Sequence, residues 1–80
     1  MSLNDVLTKE QKEFLINKKF SYEKTSESFQ KTQGDETVKI SFVFGRVLVE
    51  SFHYSLKQSK VLTHFAPENF DEFINKISLI

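Results

Sequence analysis

The chain has 80 residues, no cysteine, and 11 basic residues balanced by 11 acidic ones. A chain this short forms one domain, buries only about 60–65% of its unfolded surface, and without cysteine has no disulfide or thiolate-bound metal to supplement its core. Zero formal net charge and a single arginine do not fit a dedicated nucleic-acid binder, no apolar run approaches the roughly 18 residues that span a membrane, and the N-terminus lacks the apolar stretch of a signal peptide, so a cytoplasmic protein is expected.

Nine phenylalanines supply the core instead, because large rings bury much area per residue. Residues 1–7 are expected to be partly ordered at best. A helix is predicted at about 8–18. Thr8-Lys9-Glu10-Gln11 is a capping box, in which the threonine hydroxyl takes an orphan N–H and the glutamine reaches back. Glu10 opens this helix, and Lys18 and Lys19 close its last turn, matching the helix dipole. Leu7, Gln11, Phe14 and Leu15 share one face, so the buried stripe is narrow.

The stretch 20–31 reads as one polar, lysine-bearing edge strand. Phe20 and Tyr22 share one of its faces and Phe29 falls on the other. Thr32-Gln33-Gly34-Asp35 is a turn, with glycine available for positive φ.

Two β-branched and aromatic runs follow, at about 37–44 and 47–54, joined by Gly45-Arg46. Glycine at the first central position of a two-residue loop suits a type II′ turn. Phe44 then faces Val47. Alternation puts Val38, Ile40, Phe42, Phe44, Val47 and Val49 on a core face. The second face mixes Val43, Leu48, Phe52 and Tyr54 with Lys39, Ser41 and Glu50.

Ser55–Gln58 connects to a fourth strand at about 59–65, whose parity depends on loop length. A two- or four-residue loop puts Val61, Thr63 and Phe65 on the second face, and a three-residue loop puts them on the core face. A final helix is predicted at about 68–78. Pro67 suits the first helical position, Asn69 with Glu72 reads as an N-terminal box, and Glu68, Asp71 and Glu72 favour the first turn. Phe70, Phe73, Ile74 and Ile77 give it a clear apolar stripe. Leu79 and Ile80 end the chain apolar and are expected to be buried or part of an interface.

The order α-β-β-β-β-α with short connections implies an α+β domain of two layers. Its sheet is a four-stranded antiparallel meander, flanked by an N-terminal and a C-terminal helix.

Chemistry finds little purchase. His53 and His64 both fall on strands, and Glu50, the nearest candidate third metal ligand, points away from His53. Glu68, Asp71 and Glu72 are explained by the helix dipole. No nucleophile elbow or phosphate-binding loop occurs, and a non-enzymatic protein without metal or cofactor is expected.

The second sheet face is the informative region. An aromatic centre with a charged rim is how protein interfaces are built. Val43, Leu48, Phe52, Tyr54, Val61 and Phe65 form the candidate interface, for a protein partner or a second copy of the chain. The competing arrangement packs the first helix there, giving three layers and no exposed patch. An alternative function is weak nucleic-acid binding through Lys18, Lys19, Lys57 and Lys60. Small size, few glycines and this element order resemble, in style and not in motif, short phage-encoded and mobile-element proteins. That resemblance implies an inhibitor, immunity or accessory role and carries over no residue.

Overall fold

The computed structural model describes residues 2–77. The α+β class and the antiparallel meander are as read, but the sheet has five strands in the order β1-β2-β3-β4-β5. The strands are β1 Ser21–Glu23, β2 Ser28–Gln33, β3 Glu36–Val43, β4 Arg46–His53 and β5 Gln58–Phe65. Helices α1 Leu3–Val6 and α2 Lys9–Asn17 precede the sheet, and a 3-10 turn, Pro67–Asn69, leads from it into α3 Phe70–Ile77.

The extra strand comes from the stretch 20–31, which is a hairpin and not one strand. Lys24–Glu27 reverses the chain and sets Tyr22 opposite Phe29, so both rings share the core face, 5.1 Å apart. No glycine, proline or asparagine marks this turn. Glu27 takes the left-handed conformation itself, with φ 51°, and donates its N–H to the Lys24 carbonyl at 3.3 Å.

The central hairpin turns at Phe44-Gly45, one residue earlier than the sequence reading placed it. Both residues have positive φ, 52° and 76°, as a type I′ turn requires. Phe42 now opposes Val47, and Ile40 opposes Val49. The pairing slips by two residues, and a slip of two preserves every face. Val38 and Ile40 are therefore buried as expected, while Phe44 leaves the strand and is fully exposed.

The Tyr54–Lys57 loop has four residues and closes like the first, on a left-handed Lys57 with φ 50°. Parity then changes along β5. Val61 pairs with Glu50, but Thr63 pairs with Val49 and Phe65 with Val47, because a β-bulge inserts one residue between them. Val61 is on the second face, and Thr63 and Phe65 are on the core face. Loop length alone did not settle the register, since each parity holds for half of the strand.

The N-terminus is more ordered than its composition implied. Leu3 and Leu7 are buried, and burying a leucine stabilises by about 1.5–3 kcal/mol. That packing holds a one-turn helix that would not form alone. The backbone N–H and hydroxyl of Ser2 donate to the Asp5 carboxylate at 3.0 and 3.1 Å. These bonds lower the Asp5 pKa below its ordinary value.

In α2 the Thr8–Gln11 capping box forms as read: the Gln11 N–H donates to Thr8 Oγ1 at 3.2 Å, and the Thr8 N–H to Gln11 Oε1 at 2.8 Å. Lys18 and Lys19 lie past its last turn. Lys19 has φ 74° and donates its N–H to Ile16, while Phe20 donates to Leu15, both at 3.0 Å. This is a Schellman ending, and its apolar contact is the buried pair Leu15 and Phe20.

At the other end of the chain Pro67 takes the first helical position as expected, but Asn69 does not cap α3. It sits in the 3-10 turn and donates its N–H to the Ala66 carbonyl at 2.9 Å. The Ile77 side chain, Leu79 and Ile80 lie outside the described residues.

Leu3, Leu7, Leu15, Phe20, Phe70 and Phe73 meet Phe29, Val38, Ile40, Val47 and Val49 in one core. Phe65 joins them, its ring 4.9 Å from Phe73 and 6.0 Å from Phe70. Every sheet residue in this cluster lies on the same face, so the helices form a single layer on one side of the sheet. Gln11 Nε2 donates to the Asp71 carboxylate at 2.9 Å and ties α2 to α3. No helix among the described residues is long and apolar enough to cross a membrane.

Candidate functional site: the uncovered sheet face

With all the helices on one side, no helix among the described residues lies across the second sheet face. The arrangement in which the first helix covers this face does not occur. The narrow stripe of α2 is spent on the core through Leu15 and Phe14.

Strand register assembles the face in rows. Gln30, Lys39, Glu50 and Val61 form a central row across β2 to β5, and Thr32, Thr37, Phe52 and Ser59 form the next. On the other side of the central row Ser41, Leu48 and His64 stand together. Between the first two rows lies an open concavity of about 290 Å³, lined by Gln30, Thr37, Lys39, Glu50, Ser51, Phe52, Tyr54 and Ser59.

Tyr54 reaches this face from the loop after β4. Its hydroxyl is 2.9 Å from Thr37 Oγ1, which lies 3.0 Å from Thr32 Oγ1. Its ring meets Phe52 edge to face with centroids 5.0 Å apart, a favoured aromatic geometry. The loop is held from below by Asp35, whose carbonyl accepts the Tyr54 N–H at 2.9 Å.

Lys39 and Glu50 face each other across β3 and β4 at the middle of the sheet. Among the described residues the one basic nitrogen within 4.0 Å of a carboxylate oxygen is His53 Nε2, 3.6 Å from Glu36. The ammonium of Lys39 and the carboxylate of Glu50 are thus not engaged with each other.

Five of the six sequence-predicted interface residues share this face, with Val43 at the far end of β3 from the Phe52 row. Val43, Leu48, Phe52 and Val61 project from this face, and Tyr54 folds over it. Val43 is 39% exposed, Phe52 36%, and Tyr54 and Val61 each 52%. Phe65 is separated from them, because the bulge turns it to the core. Sequence reasoning missed Gln30 and Ser59, and it placed Thr37 on this face without counting it in the interface. Gln30 was hidden by reading 20–31 as one strand, which left its pairing with Lys39 invisible.

The remaining candidates are scattered. His53 shares the core-face parity and pairs with Glu36, whereas His64, on the second face, accepts the Arg46 Nε–H on Nδ1 at 3.1 Å. No group of three potential metal ligands occurs among the described residues. Lys18 and Lys19 lead into β1, and Lys57 and Lys60 belong to the loop and strand of β5. Those are opposite edges of the sheet, four strand spacings or about 19 Å apart, so the four lysines form no single patch.

No protein-family model, curated protein or solved structure matches this chain.

Proposed function

We propose that the protein is a small non-enzymatic binding module that docks a protein partner on its uncovered sheet face, in the manner of an inhibitor, immunity or accessory protein. The supporting observation is the face itself. A short chain with a thin stability margin places every helix on one side and leaves Phe52, Tyr54, Val61 and Val43 in water on the other. Burying such groups would stabilise the free fold, and an aromatic cluster amid polar residues matches the anatomy of a binding surface. Phe52 is the anchor, because it stands in the sheet while Tyr54 is committed to Thr37. The wide separation of the lysine pairs argues against the nucleic-acid alternative, which needs one continuous basic surface.

The test is a comparison of two immobilised chains, wild type and Phe52→Glu, exposed to extract of the source cell. A protein retained by the wild type is then purified, and its affinity for both chains is measured. The expected result is at least about tenfold weaker binding to Phe52→Glu. Equal affinity for the two chains would count against this face.

A further inference from the structure

We infer that the partner of this face is a second copy of the chain, packed face to face about a two-fold axis lying between β3 and β4 and parallel to the strands. The inference rests on the reading of the face as a docking surface and names its occupant. A two-fold so placed lays β3 of each copy over β4 of the other at the same level, since an isologous interface pairs residue i with j and j with i.

The residues at those levels are complementary. On this face β3 presents Thr37, Lys39 and Ser41, registered against Phe52, Glu50 and Leu48 of β4. The axis sets Lys39 of each copy over Glu50 of the other, so two charges unengaged in one chain become two cross-chain pairs. It also sets Leu48 over the small Ser41 of the second copy, and brings Phe52 to the Thr37 of the second copy, whose hydroxyl is 2.9 Å from the Tyr54 hydroxyl.

Aligned sheets pack about 10 Å apart, a gap that extended lysine and glutamate side chains bridge together. An axis perpendicular to the strands would instead stack Lys39 on Lys39 and Glu50 on Glu50. The charge pattern therefore selects between the two ways of facing the sheets. Zero formal net charge leaves no overall repulsion between copies.

The experiment is sedimentation velocity on the full chain from micromolar to millimolar concentration, for wild type, Lys39→Glu, Glu50→Lys, and an equimolar mixture of the two variants. Both positions line an open surface, and circular dichroism confirms that each variant is folded. Wild type is expected to dimerise, and each variant to do so at least about tenfold more weakly. The mixture is expected to recover the dimer as a species containing both variants, because its cross-chain pairs are again of opposite sign. A wild type that stays monomeric throughout overturns the second copy as occupant. So do variants that dimerise like wild type, or a mixture no tighter than its components. None of these outcomes touches the docking surface itself, which Phe52→Glu tests against the purified partner.

Discussion

The carboxylate of Asp35 accepts the backbone N–H of Ser55, at 3.0 Å to one oxygen and 3.1 Å to the other. One turn of the sheet thereby clamps the next. The same aspartate takes the Tyr54 N–H on its carbonyl, so the hairpin tip at Gly34-Asp35 fixes the residue whose ring completes the aromatic pair.

Asp35→Ala removes the carboxylate acceptor and leaves the carbonyl one. A charge-assisted hydrogen bond at an exposed site is worth about 1 kcal/mol. The variant should lose about that much in urea unfolding. Hydrogen exchange should speed up at Ser55 more than at residues of β1. Asp35→Asn, which keeps one side-chain oxygen, should fall between the two. An unchanged exchange rate at Ser55 would show that the clamp does not hold the loop.

Lys19 holds the left-handed position that ends α2, a conformation costing an L-residue about 1–2 kcal/mol. Glycine has no such penalty but loses more entropy on folding. Lys19→Gly should stabilise by about 0.5–1 kcal/mol. Lys19→Ala should not, which separates backbone strain from loss of the charge. Thermal melts of the two variants against wild type decide it.

The face switch in β5 gives opposite expectations for two neighbouring apolar residues. Phe65 packs on Phe70 and Phe73, and Phe65→Ala should cost about 2–3 kcal/mol, somewhat less than a fully buried phenylalanine. Val61 is half in water, and Val61→Ala should change stability by less than about 0.5 kcal/mol. Similar costs at both sites would mean that the bulge is misplaced.

The contrast also shows what the sequence could carry. Alternation of Val38, Ile40 and Phe42 against Val47 and Val49 identified the core face correctly despite a wrong turn, because a two-residue slip is silent to parity. The capping box at Thr8 was legible because its chemistry is local. What escaped was set by packing or by unmarked backbone. Among the described residues four non-glycines take positive φ, namely Lys19, Glu27, Phe44 and Lys57, so two of the four hairpin turns, Lys24–Glu27 and Tyr54–Lys57, close without a glycine, and Phe44 shifts a third by one residue. The one-turn helix at Leu3 depends on a core assembled from the far end of the chain. The exposure of the second face followed only once α2 was seen to spend its narrow stripe on the same layer as α3.

Asp5 supplies the pH dependence. Its pKa is lowered by the Ser2 backbone and hydroxyl bonds, so the folded chain holds the charged carboxylate more strongly than the unfolded chain does. The contribution is complete above the ordinary value of 3.8 and is lost as pH falls through the lower folded value. Amide protection in Leu3–Val6, taken relative to the intrinsic exchange rate at each pH, should therefore fall on acidification. In Asp5→Asn it should already be low at neutral pH and change less with acid. Because Asp5 is exposed, global unfolding should hardly move.

Phe44 offers the sharpest single substitution. It occupies the first central position of a type I′ turn with φ 52°, and its ring is 100% exposed. Asparagine followed by glycine is the favoured pair for that turn, and asparagine tolerates the left-handed region better than phenylalanine. No burial is lost when the ring goes. Phe44→Asn should raise stability by about 1 kcal/mol in urea unfolding and leave the amide pattern of β3 and β4 unchanged. The II′ alternative, with Gly45 and Arg46 at the tip, makes the opposite forecast. There Phe44 would be a core residue facing Val47, and its loss would cost about 3–5 kcal/mol. The sign of one unfolding free energy thus distinguishes the two registers.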